Sequence, residues 1–211
     1  SKFITWQYNT LYERNLLEKG LHPVKFCTNE KNPVTTHDIL RGEDAEFQEY
    51  TLIKFYLDDL VIPMATLRPE TIRGVTNVFI NPDSTYVEAI VDGEKWIVSK
   101  EAATKLSLQA RQVKIISDVD PLTLIGKYVQ NPVTKNKIII LPATFVDPSN
   151  ATGAVMSVPA HSPADWIALE HSKQNPSKLV EYGIDPSEIQ KINPISILTL
   201  DGYGEFPAKD V

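Results

Sequence analysis

Thr85-Tyr86-Val87-Glu88-Ala89-Ile90-Val91-Asp92-Gly93-Glu94-Lys95-Trp96-Ile97-Val98-Ser99 is the stretch that decides the fold class. Two β-rich runs, Thr85 to Val91 and Glu94 to Val98, flank Asp92-Gly93, a dipeptide that readily takes the positive φ angles of a tight hairpin turn. The same texture extends outward on both sides, through Tyr50 to Leu57, Leu60 to Thr66, Thr76 to Ile80, Gln112 to Ser117, Ile125 to Val129, Ile138 to Val146 and Ala154 to Val158. Asn-Pro, Asp-Pro and Asn-rich turns separate many of these runs, the spacing of an antiparallel barrel or sandwich. Short helices interrupt at Ser99 to Leu106 with Ser99 as N-cap, at Ser162 to His171, and at Pro186 to Lys191 after Asp185. The expected class is α+β, a mainly antiparallel β-barrel core decorated with short α-helices.

Before Tyr50 the texture differs. Phe3, Ile4, Trp6, Leu11, Leu16 and Leu17 give a helical stripe that stops at Gly20, with Pro23 just beyond. From Pro33 to Glu49 the chain is polar, and the acidic patch Glu43, Asp44, Glu46 and Glu49 reads as a solvated connector. The division is therefore 1–49 for an N-terminal helix and connector and 50–211 for the core and a return segment. The chain opens without Met and falls at once into a helical pattern, as an excised piece of something longer would, although an expression scar gives the same opening.

At 211 residues and 42% apolar composition the chain can bury a full core. Lys plus Arg is 21 and Asp plus Glu is 27, a net charge of −6 and the opposite of the basic footprint of autonomous nucleic-acid binders. Cys27 is the one cysteine, which excludes an internal disulfide and any thiolate-rich metal site and suits a reducing cytoplasm. The longest apolar run, Ile138 to Val146 broken by Pro142, falls far short of the roughly 20 residues that span a bilayer. A soluble, cytoplasmic protein without membrane contact is expected. No cluster of His, Cys and carboxylate has metal-ligand spacing, so no metal is expected either.

Two segments concentrate the polar chemistry. In Thr66-Leu67-Arg68-Pro69-Glu70-Thr71, a strand end runs into a short turn: Pro69 suits the first helical position, Glu70 favours the positive end of the turn, and Gly74 ends it. In Gly153-Ala154-Val155-Met156-Ser157-Val158-Pro159-Ala160-His161-Ser162-Pro163-Ala164-Asp165, Ser162, Pro163 and Asp165 fit a capping box. The box alone explains Asp165. The same position also aims a carboxylate at the mouth of a helix, where an α-ammonium group would bind. Met156 and Val158 lie two apart on a strand and share one face, as a core pair or as a pocket lining. His161 is the only histidine of the two segments: a candidate general base, or a loop residue that packs or bonds to backbone. Neither Gly-x-Ser-x-Gly nor a suitably flanked Cys supplies a nucleophile.

These two segments resemble the editing (CP1) domain of class I aminoacyl-tRNA synthetases, most closely that of the archaeal leucyl enzymes, and the likeness runs from about Tyr50 to Glu170. The first resembles the family's threonine-rich peptide, and the second its Gly-rich strand, Pro-X-His loop and helix. The resemblance implies post-transfer editing: hydrolysis of the ester bond of mischarged aminoacyl-tRNA(Leu) by directly attacking water, with isoleucine, methionine and similar side chains admitted and leucine excluded. It implies catalytic roles for Asp165, Thr66, Thr71, Arg68 and His161, with Asp165 anchoring the amino group and Thr71 blocking the cognate side chain. Leu67, Pro69, Glu70, Met156, Ser157, Val158 and Ser162 would bind substrate. Leu67 stands where many relatives carry a second threonine, and Ser162 where many bacterial relatives carry an aspartate. His-Ile-Gly-His and Lys-Met-Ser-Lys-Ser type signatures are absent, so this fragment should not activate an amino acid.

Editing would need no cofactor, ATP being used only by the missing synthetic domain. The implied partners are the 3′ aminoacylated end of tRNA(Leu) and the remainder of the parent synthetase. The isolated domain would be a monomer of weak tRNA affinity, with Lys127, Lys135 and Lys137 as a local guide for phosphates. The alternatives are a valyl- or isoleucyl-tRNA synthetase editing domain, and a non-catalytic insertion that docks the tRNA acceptor end.

Overall fold

Hydrogen-bonded strands joined by turns and short helices organise the fold. The computed structural model describes residues 1–20, 24–27, 29–35, 48–109, 111–199 and 201–210. They fall into two compact units, Ser1–Gln48 and Glu49–Val211.

In the first unit α1 spans Lys2–Glu13, and β1 (Phe26–Cys27) pairs with β2 (Asn32–Pro33). The stripe predicts a helix continuing towards Gly20. Instead Asn15, with φ of 54°, closes a Schellman motif in which its N–H donates to the Tyr12 carbonyl at 3.0 Å and that of Leu16 to the Leu11 carbonyl at 2.9 Å. No residue of α1 is buried within the described chain. Pro23 and the acidic residues Glu43, Asp44 and Glu46 lie outside the described residues.

The second unit carries one nine-stranded sheet. Its strands are β3 (Thr51–Leu57), β4 (Leu60–Thr66), β5 (Asn77–Ile80), β6 (Tyr86–Val91), β7 (Glu94–Ser99), β8 (Val113–Val119), β9 (Tyr128–Gln130), β10 (Lys137–Pro142) and β11 (Ala154–Ser157). They are ordered β11-β5-β10-β9-β3-β4-β7-β6-β8. α2 (Lys100–Leu108) joins β7 to β8, and α3 (Pro163–Gln174), α4 (Pro176–Glu181) and α5 (Pro186–Gln190) follow β11. The β6–β7 hairpin turns where the sequence places it, with Val91 opposite Glu94 and φ of 50° at Asp92 and 89° at Gly93.

The sheet is mainly antiparallel, with two departures from the expected barrel. β5 runs parallel to β10 and β4 parallel to β7. Among the described residues the end strands β11 and β8 are each paired on one side only, so the sheet curls, bringing β11 against β4, without closing. Side-chain patterning marks which faces of a strand are buried but not strand direction, which explains why the parallel pairs escape the sequence. Gly126, with φ of 80°, turns the chain and delays the run beginning at Ile125 until Tyr128.

Alternation also divides the core. On β6 and β7, Tyr86 and Ile97 face the main cluster with Phe55, Met64, Phe79 and Leu141. Val87, Ala89, Val91, Trp96 and Val98 face α2, where Ala102, Ala103 and Leu106 cover them. Ser99 caps α2 as expected, its Oγ accepting the Ala102 N–H at 3.1 Å.

The approach to β11 is held by a buried polar knot. Tyr86, 1% exposed, donates its hydroxyl to the Gly153 carbonyl at 2.5 Å and accepts the Asn81 N–H at 3.0 Å. Burial pushes this phenol up to about 12. Gly153 has φ of 77°, and a Cβ there would stand 2.6 Å from Ser99 Cβ. Gly153→Ala is accordingly expected to lower the stability of the chain by about 2–4 kcal/mol through combined strain and overlap. A denaturation midpoint within error of the parent would show that the loop can move aside without penalty.

Candidate functional site

The first wall begins where β4 ends. Thr66 Oγ1 accepts the Arg68 N–H at 3.0 Å, a local bond that bends the chain out of the strand. A 3-10 turn follows over Pro69–Gly74, with Pro69 at its start where a missing N–H costs nothing. Thr71 places both its N–H (3.1 Å) and its Oγ1 hydroxyl (2.7 Å) on the Arg68 carbonyl. That double bond fixes χ1 of Thr71. From outside, Asn131, fully buried, donates Nδ2 to the Ile72 carbonyl at 2.9 Å, while its Oδ1 accepts the Val133 and Thr134 N–H groups. Asn131 is a supporting residue that the sequence reading missed; Asn131-Pro132 signals a turn and nothing in it points to Ile72.

The second wall is β11 and its continuation. After Ser157 the chain turns tightly, the N–H groups of His161 and Ser162 both donating to the Val158 carbonyl at 3.0 Å. Ser162 then caps α3, its Oγ accepting the Asp165 N–H at 3.4 Å. The reciprocal half of the expected capping box is not formed, because the Ser162 N–H is already committed to Val158. The Asp165 carboxylate points back to the strand end instead, where Oδ2 accepts the Val158 N–H at 2.8 Å. No hydrogen bond reaches Asp165 Oδ1 among the described residues. Asp165 is 7% exposed, and burial raises its pKa against the opposing pull of the Val158 N–H and Ser162.

The walls meet. β5 and β11 pair with Asn77 opposite Ser157, and the Thr76 N–H donates to the Ser157 carbonyl at 3.1 Å. A Cβ on Gly74 would lie 3.1 Å from Val158 Cγ1. Arg68 is close enough for its charge, after burial, to depress the His161 pKa. Thr66, Thr71, His161 and Ser162 are half-buried along this junction; Leu67, Arg68, Pro69 and Glu70 are exposed at its rim, and Met156 and Val158 are buried. No ion pair engages the Arg68 guanidinium among the described residues.

Ser157 sits differently from the expected substrate contact, and His161 takes the backbone-bonded alternative. Ser157 is fully buried, and its side chain alternates away from Met156 and Val158 beside Asn77, so only its carbonyl serves the junction. His161 Nε2 accepts the Ile197 N–H at 2.9 Å, which occupies the lone pair a general base would use. A groove of about 530 Å³ runs along the outer side of α3, lined by Ala143, Phe145, Ile167, Ala168 and Leu179 among others. It is lined by no predicted site residue and no carboxylate.

A protein-family model described as "Leucyl-tRNA synthetase, editing domain" matches residues 49–193. The leucine–tRNA ligase of Pyrococcus abyssi is 51% identical over 216 residues, covering 99% of this chain and 22% of the relative. That of Methanosarcina barkeri is 53% identical over 214 residues, covering 100% and 22%. The chain thus spans about a fifth of the length of these curated relatives. Among solved structures, GlLeuRS-CP1 is similar with a TM-score of 0.69 at 26% identity, over 76% of this chain and 75% of that one. The Plasmodium falciparum cytosolic leucyl-tRNA synthetase editing domain shares the fold, with a TM-score of 0.71 at 20% identity over 78% of each chain. A match that covers most of the chain, from the strands of the first wall through α3, shows that the chain belongs to the leucyl-tRNA synthetase editing-domain family.

Proposed function

We propose that this domain hydrolyses the ester of mischarged aminoacyl-tRNA(Leu), releasing isoleucine, methionine and similar side chains while excluding leucine. The observation that carries the reading is Asp165: a buried carboxylate in the second wall with one oxygen held by backbone and no hydrogen bond on the other among the described residues. A cation that brings its own proton donors is the natural partner of such an oxygen, and a substrate α-ammonium supplies one.

The remaining roles follow from position. Thr71, with its hydroxyl tied to the Arg68 carbonyl, presents its methyl as a fixed steric stop. Met156 and Val158 shape the apolar side. Exposed Leu67, Arg68, Pro69 and Glu70 form the rim, where the Arg68 guanidinium suits a terminal phosphate. No side chain here is an activated nucleophile, so water attacks the ester carbon, donors at the junction receive the transient oxyanion, and the ester C–O bond breaks as the water's proton passes to the departing ribose oxygen, releasing the free amino acid and an intact terminal hydroxyl. The domain's purpose is energetic: one methyl group separates aliphatic amino acids by only about 1–3 kcal/mol, so a second sieve must remove errors. The acidic net charge of −6 fits weak tRNA capture by the isolated domain.

The direct test is release of isoleucine from isoleucyl-tRNA(Leu) by a high concentration of the domain, with leucyl-tRNA(Leu) as control. Selective release is expected. Tight, salt-sensitive tRNA binding with no hydrolysis would favour a docking insertion, and preference for threonyl-tRNA(Val) would favour a valyl editing domain.

Asp165→Asn keeps an oxygen for the Val158 N–H and removes the charge, so hydrolysis should fall at least about 30-fold, as for loss of a buried charge partner. Its stability should move the other way. Because burial raises the folded-state pKa above the unfolded value, the ionised carboxylate destabilises the fold at neutral pH, and that cost disappears below the unfolded pKa. The variant should therefore match or exceed the parent's melting temperature at pH 7, with any gain fading towards pH 4. A lower melting temperature with retained hydrolysis would return Asp165 to a purely structural role. Thr71→Ala should raise hydrolysis of leucyl-tRNA(Leu) about 10- to 100-fold, the range of a single steric contact; undetectable leucine release would remove the steric stop from the mechanism.

A further inference from the structure

Beyond α5, residues 192–199 form neither helix nor strand, yet they touch both walls. At the first wall a Cβ on Gly74 would meet the Ile195 carbonyl oxygen at 3.1 Å and Ile197 Cγ2 at 3.3 Å, so the turn and this segment are in close contact only because residue 74 has no side chain. At the second wall the Ile197 N–H donates to His161 Nε2 at 2.9 Å. The chain then returns to the same loop, with the Ala208 N–H on the Ala160 carbonyl at 3.1 Å and the Phe206 ring 5.9 Å from that of Trp166. An imidazole nitrogen that accepts a hydrogen bond is unprotonated, so His161 is neutral and carries its proton on Nδ1. Burial, reinforced by the neighbouring Arg68 charge, favours this neutral form.

We propose that His161 is a positioning residue that fastens the strap Ile195–Ile197 across both walls, and so sets the separation between Thr71 and Asp165 on which side-chain selection depends. The inference rests on the editing function and deepens it. A steric stop discriminates only against a fixed opposite face, and the strap touches the 3-10 turn at Gly74 and the loop after β11 at His161. The strap is the element that can transmit or release that spacing. His161 Nε2 does not take a proton from the attacking water in this arrangement, because its lone pair is already committed.

The test compares His161→Leu, which removes the acceptor, with His161→Gln, whose side-chain oxygen can accept the Ile197 N–H at similar reach. Two readouts are needed: hydrogen exchange at the Ile197 amide, and hydrolysis of isoleucyl- and leucyl-tRNA(Leu). In His161→Leu the Ile197 amide should exchange about tenfold faster, isoleucine release should fall about tenfold and preference over leucine should narrow, as for loss of one partly buried hydrogen bond. His161→Gln should restore protection, rate and preference. Gly74→Ala, which displaces Ile195 from the other wall, should reproduce the functional loss with His161 intact. If His161→Gln were as inactive as His161→Leu with the amide protected, the imidazole itself would be required and the proposal would fail. Full, selective activity in His161→Leu with an unprotected amide would overturn it equally. A parent domain that hydrolyses neither substrate would instead overturn the editing function, and the exchange comparison would still decide whether His161 holds the strap.

Discussion

The hydrogen bond from the Val158 N–H to Asp165 Oδ2 is the constraint on which the site depends. Val158 is the first residue beyond β11, and its peptide groups are fully committed: the carbonyl accepts two N–H groups that wind the turn, and the N–H seats the carboxylate. One residue therefore fixes the end of a strand, the entry angle of α3 and the direction of the acid. In a nearly dry environment such a bond is stronger than it would be at the surface, and a missing partner more costly. The carboxylate thus binds the structure together with one oxygen and remains available through the other.

Holding the two walls at one separation falls to residues far from the chemistry. β5 supplies the shared edge, since it pairs with β11 and continues directly from the threonine turn through Thr76. Asn131 grips the back of that turn, and the Tyr86–Gly153–Ser99 knot fixes where β11 starts. These contacts are buried and polar, and each is satisfied only in one arrangement, which gives specificity to a sheet whose apolar contacts alone would tolerate sliding.

Local chemistry made part of this legible in the sequence. Asp92-Gly93 gave the hairpin, the alternating runs gave the strands, and Ser99, Ser162 and Asp185 gave three helix starts, because caps and turns are decided by neighbours a few residues away. Strand order, the two parallel pairings and the open edges depend on partners distant in sequence and were not legible. Asn15 ended α1 before Gly20 because a left-handed cap needs no glycine when asparagine is present. The site was similarly mixed. Motif residues of both walls converge, but the capping box proposed for Asp165 is only half formed, Ser157 faces away, and His161 bonds to backbone, the alternative that its loop position had left open. Orientation within a recognised motif is a tertiary property, set here by Ile197 and Val158.

In the proposed function, burial of Asp165 would make selection sharp at a site with so few polar groups. A carboxylate already stripped of most of its water loses little more when an ammonium arrives, whereas a ligand lacking that charge leaves it unpaired. In the proposed function the amino group would be recognised by charge and the side chain by shape, two independent criteria applied from opposite walls. Shape recognition would fail first if the walls breathed, since a gap wider by the size of one methyl would admit leucine, while the charge contact would tolerate small shifts because electrostatic energy falls off slowly with distance. Selectivity would therefore depend more steeply than binding on the elements that brace the walls, and the strap is the brace that touches both of them.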